Sequence, residues 1–237
     1  MGESAGGVQT PPEELCRMRK IIEARDLHVS MVTADSKVPL NGDDGPDSLR
    51  NIGPSLDVAE ALGCNLIRVC LKKDEDIPHA REAAKQAADR DIRLAHQCHT
   101  TSFFEQVDQI LANLEAIGQS NFGLIYEPAN LMLCDESYGP NTLWQLAPHM
   151  MNVYIQNHRL DPEGPVSLPT YCCGEVHFHH QPIWEAGGVD TVSVFEGLKE
   201  IDWSGHFTIH QAEGIKTFED AHIYAGQCAE FVRVSEG

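Results

Sequence analysis

The chain has 237 residues, enough for one large domain with a substantial core, and its 42% hydrophobic and 22% charged residues place it among globular proteins. Its 36 acidic residues against 17 basic give a formal charge of −19, a surface that repels phosphate backbones and anionic membranes, so neither nucleic acid nor membrane is expected as a partner. No apolar run reaches the roughly 20 residues of a membrane helix, and the opening MGESAGGVQTPPEE has neither the basic end nor the apolar stretch of a signal peptide, so a cytoplasmic location is expected.

In chain order, residues 11–26 read as a helix, with Pro11 and Pro12 at its start and Leu15, Met18, Ile21 and Ile22 at helical spacing. Residues 27–35 alternate as a strand, and residues 36–47, rich in Gly, Asp and Pro, form a loop. Residues 48–64 are expected to hold a helix ending near Gly63, followed by a strand at 65–73 and a helix at 76–91. The segment IRLAHQCH is a strand, residues 102–118 a helix, and residues 121–133 a strand running into a loop. A short helix at 142–150 leads to a strand at 151–159. Residues 160–189 read as a long irregular segment, too long for a passive connection and so a candidate lid or substrate loop. A helix at 189–201, a strand at 205–212 and a closing helix complete the chain, which reads as a single domain over residues 1–237.

Six strands alternating with helices imply a parallel sheet with helical crossovers, its strands apolar along most of their length as in sheets covered on both faces. The eight cysteines lie in a long chain with no secretion signal and no CxxC pair. Free, mostly buried thiols are expected, and spacing offers no support for a thiolate zinc site.

The chemistry gathers at strand ends. His96 and His99 close one strand, Glu127 the next, Gln156 and His158 the next, and His210 the last. Strand C-terminal ends converge on one face in parallel α/β folds. Imidazole, carboxylate and amide donors from four strands suit a divalent metal. Each has a plainer reading: a lone strand histidine is commonly a hydrogen-bonded core residue, and Gln156 can satisfy backbone groups. Only the recurrence over four strands favours a shared site.

LRNIGPSLDVAEALGCNLIRV, NFGLIYEPANL, NVYIQNHR and WEAGGVDTVSVFEGLKEIDWSGHFTIH together resemble the xylose-isomerase-like TIM barrels, and within them the sugar phosphate isomerase/epimerase group, over about residues 12–212. The resemblance implies a TIM-type α/β barrel in which four strand-end ligands, in the order Glu, Asp, His, Glu, hold a divalent metal and the two Glu serve as acid and base. Carried over, these positions fall on His96, Glu127, Gln156 and His210, so every one departs from the pattern and the formal ligand charge falls from −3 to −1. Manganese, with zinc or iron as alternatives, suits that set better than magnesium. Histidine takes over the proton transfer, with His96, His210 and above all His99 as candidates. Asn130, His158, Arg159, His179, His180, Trp184 and Glu185 are the candidate substrate contacts. The first recognisable segment resembles the helix leading into the family's third strand, so a barrel lacking its first two strands is expected, with exposed edges that favour a homo-oligomer. The implied activity is a metal-dependent isomerisation or epimerisation of a small carbohydrate. The alternatives are lyase chemistry on 3-keto-glycosides and a non-catalytic sugar-binding or partner subunit.

Overall fold

A computed structural model describes residues 8–34, 44–209 and 215–236, so His210 and most of the 36–47 loop lie outside the described residues. The chain divides into two compact units, the first holding most of residues 1–125 and the second most of residues 126–237.

In the first unit, α1 (Pro12–Glu23), β1 (Val32–Thr33), α2 (Asp47–Arg50), α3 (Gly53–Leu62), β2 (Leu66–Val69), α4 (Ile77–Ala88), β3 (Arg93–Gln97), α5 (Val107–Ile117) and β4 (Phe122–Tyr126) follow in order. The strands pair in parallel, β1 with β2, β2 with β3 and β3 with β4, with Val69 beside His96 and His96 beside Leu124. Most of β2 to β4 is buried, as expected of parallel strands covered on both faces. Leu15 of α1 packs on Val58 and Leu62 of α3. Gly63 ends α3 in the left-handed region at φ +71°, where a Cβ would also stand 2.9 Å from the Arg19 guanidinium carbon.

Several expected elements shift for local reasons. The strand expected at 27–35 reduces to Val32–Thr33. The helix expected over 48–64 is two helices, because the chain leaves the helical region at Asn51, φ −146°, ψ 71°. The helix expected from Ser102 begins at Val107: Ser102 Oγ accepts the Phe104 N–H at 3.1 Å and Glu105 accepts the Thr101 N–H at 2.5 Å, bonds that compete with helical ones.

The second unit contains α6 (Pro128–Leu133), α7 (Pro140–Leu146), β5 (Met150–Ile155), β6 (Asn157–Leu160), β7 (Val166–Thr170), β8 (Gly174–Gln181), α8 (Thr191–Glu200), β9 (Phe207–Ile209) and α9 (Phe218–Glu236). β5 pairs in parallel with β9. The reading of 160–189 as irregular is corrected: β6, β8 and β7 form an antiparallel three-stranded sheet, with His158 opposite His180 and Arg159 opposite His179. Polar residues at successive positions of GEVHFHHQ hid the strand period. Gly164 allows the approach of β8, since a Cβ there would lie 2.7 Å from the Phe178 backbone. The strand expected at 151–159 is likewise two strands in different sheets, broken at Gln156. Among the described residues no helix is long and apolar enough to cross a membrane.

Candidate functional site

Glu127 is placed by the proline that follows it. Pro128 opens α6, and a residue before proline is held extended, here at φ −142°, ψ 102°. Glu127 is therefore the last extended residue after β4 and the N-cap of a helix, and it is fully buried. A carboxylate out of water needs donors. Asn130, one turn along α6, donates Nδ2–H to Glu127 Oε2 at 2.6 Å and to the Cys98 carbonyl at 2.8 Å. Gln156 donates Nε2–H to Glu127 Oε1. Both partners of Asn130 Nδ2 are pure acceptors, which fixes the amide orientation. Gln156 lies between β5 and β6. Burial pushes the neighbouring Cys98 thiol up to about 12, with the Glu127 charge contributing, so Cys98 stays a neutral thiol.

His96 belongs to the first unit. Its Nδ1 lies 2.6 Å from the Gln97 carbonyl and its Nε2 3.3 Å from the Leu71 carbonyl. Its ring stacks on Phe104 at 4.1 Å and 6°. His99, half-buried, sets its Nδ1 2.8 Å from the Thr100 carbonyl, so that nitrogen carries the proton and Nε2 is the basic one.

The candidate substrate contacts divide between the two faces of the small sheet. His158 and His180 oppose each other with their Nδ1 atoms 3.2 Å apart, and His158 packs on Phe178 at 4.3 Å. The adjacent cross-strand pair, Arg159 and His179, projects to the other face and shares Asp161, at 3.6 Å and 2.9 Å. The Glu163 N–H, His179 and Arg159 hold the Asp161 carboxyl below its usual range. Trp184 sets its ring 5.5 Å from Tyr224 of α9, and Glu185 accepts the Asn157 amide at its backbone carbonyl, 2.7 Å away. Sequence reasoning missed a further cluster, Glu105 with Cys134 and Cys172. Its members are up to 67 residues apart in sequence, and no local spacing could have announced it.

Whether these residues fit the divalent cation that the resemblance implies is a question of donor chemistry. Glu127 and Gln156 fit: a buried carboxylate and a touching amide offer oxygen donors for a hard or borderline ion. His96 has the hydrogen bonds of a core histidine, and one ring nitrogen must leave its carbonyl before it can ligate.

The model of the xylose isomerase-like TIM barrel family matches residues 3–224. No functionally curated protein is significantly similar to the chain in sequence. Among solved structures, it resembles a xylose isomerase domain protein from Planctomyces limnophilus at TM-score 0.73 and 14% identity, over 95% of this chain and 82% of that one. It also resembles a xylose isomerase-like TIM barrel protein from Mycobacterium smegmatis, solved in complex with magnesium, at TM-score 0.70 and 13% identity, over 97% and 81%. A D-allulose 3-epimerase from Methylomonas sp. is similar at TM-score 0.66 and 17% identity, over 96% and 85%. At these identities the likeness is one of fold.

Proposed function

Because the chain belongs to the xylose isomerase-like TIM barrel family, we propose that it is a metal-dependent isomerase or epimerase of a small carbohydrate. One observation carries this reading: Glu127 is a fully buried carboxylate clamped by two side-chain amides, at the end of a parallel strand. Such a group is costly to bury for structure alone and is suited to hold a cation. Glu127 and Gln156 hold the divalent ion. The order of the family's ligand positions assigns His96 and His210 to complete the set, with manganese the preferred metal and zinc or iron acceptable.

The bound metal supplies Lewis-acid polarisation of a carbonyl and its neighbouring hydroxyl. The protein moves the proton. With its Nδ1 held on the Thr100 carbonyl, His99 Nε2 takes the proton next to the carbonyl and returns it to the adjacent carbon or to the other face. Asn130 positions Glu127. His158 and His180, on one face of the small sheet, meet the sugar hydroxyls, while Arg159 and His179 on the other face hold Asp161.

The test is a panel of ketoses, aldoses and their phosphates, incubated in deuterated water with manganese. An isomerised or epimerised sugar carrying deuterium is the expected product. A released aglycone would instead identify lyase chemistry, and no turnover with any member would leave a binding subunit. The metal assignment has its own check: Glu127→Ala loses stoichiometric manganese, and retention of one equivalent sinks it.

A further inference from the structure

A second group of ligating side chains lies within the second unit. Glu105 precedes α5, Cys134 caps the C-terminal end of α6, and Cys172 and Cys173 occupy the turn between β7 and β8. The ligating atoms of Glu105, Cys134 and Cys172 are all within 4.8 Å of one another. Cys172 Sγ is 3.6 Å from the Cys134 carbonyl and 3.5 Å from Cys173 Sγ. Glu105 and Cys134 are each 2% exposed, while Cys172 and Cys173 face solvent.

The cluster is built rather than incidental. Glu105 accepts the Thr101 N–H at 2.5 Å, the Tyr171 N–H at 2.8 and 2.9 Å on its two oxygens, and the Cys172 N–H at 3.0 Å. Thr170 Oγ1 accepts the Cys173 N–H at 2.8 Å and donates to the Gly174 carbonyl at 3.0 Å. The carboxylate thus fixes the turn that presents the thiols. Among the described residues, no Lys, Arg or His forms an ion pair with Glu105. Peptide N–H groups and the Cys172 thiol face this buried carboxylate, and a cation would balance its charge.

We propose that Glu105, Cys134 and Cys172 bind a borderline-soft divalent cation, zinc. Two sulfurs and one carboxylate oxygen are a zinc donor set. Bonds of about 2.3 Å to sulfur and 2.0–2.2 Å to oxygen put tetrahedral ligands roughly 3.5–3.8 Å apart, so the side chains close by about 1 Å. The exposed Cys172 gives the ion its entrance. Zinc forms two Zn–S bonds as two S–H bonds break, and two protons leave to solvent. Thiols must shed their protons to ligate, so protons compete with the ion and affinity climbs with pH. Bound zinc ties the β7–β8 turn to the end of α6.

The test uses cobalt(II) on the reduced, metal-free full chain. One equivalent is expected to give thiolate-to-cobalt charge-transfer absorption that zinc bleaches. Zinc titrations in buffers of different ionisation enthalpy are expected to release about two protons per ion. Cys172→Ser, at an exposed position that folding tolerates, loses the band. Glu127→Ala keeps it, which separates this site from the proposed catalytic metal. No charge transfer in the wild-type chain, or a band that survives in Cys172→Ser, overturns the proposal.

Discussion

Asn130 divides its amide between Glu127 Oε2, 2.6 Å away, and the Cys98 carbonyl, 2.8 Å away, so one side chain orients the buried carboxylate and ties it to the segment after β3. Asn130→Ala leaves a buried carboxylate short of one donor and a carbonyl short of another. The expected cost is about 1–3 kcal/mol of stability, with weaker manganese binding. Denaturant melts together with a manganese titration check it, and an unchanged affinity would remove Asn130 from the site.

His99→Ala is expected to abolish solvent deuterium incorporation into the substrate while metal content stays at the wild-type level. Mass spectrometry of recovered sugar and elemental analysis of the protein give the two readings. Loss of metal as well makes His99 a ligand. Retention of both hands the proton transfer to His179 or His180.

Asp161 gives the small antiparallel sheet an acid limit. The Glu163 N–H and then His179 and Arg159 lower its carboxyl, so the folded form releases the proton more readily than the unfolded chain. That stabilisation is present above an unfolded pKa of about 3.9 and is lost as pH falls through the lower folded value. Amide protection factors in β6 and β8, corrected for intrinsic exchange, should therefore fall below about pH 4. Asp161→Asn should flatten this dependence, and an identical pH profile in the variant contradicts the assignment.

Gly164→Ala places a methyl 2.7 Å from the Phe178 backbone, which cannot turn aside as a side chain can. Overpacking of this kind costs roughly 1–3 kcal/mol. A drop in the thermal midpoint is expected, with the first unit's β-strand amides exchanging at wild-type rates under native conditions. A variant as stable as the wild type would show that the hairpin opens freely.

The sequence by itself carried the alternation of helices and strands, the apolar parallel strands β2 to β4 and the αL end of α3 at Gly63. Each follows from local periodicity, burial on both faces or a single residue's backbone freedom. It carried Glu127 as a polar residue at a strand end, because the apolar run before it is visible in the chain. Tertiary structure decided the rest. The sheet of β6, β7 and β8 depends on pairings between residues up to 24 apart, such as Asn157 with Gln181, and its histidines on both faces erase the period that would reveal it. Only folding shows that Gln156 and Asn130 meet at one carboxylate, and that Glu105, Cys134 and Cys172 share one small volume, since hydrogen bonds and ligand sets are set by distance in space and leave no spacing in sequence.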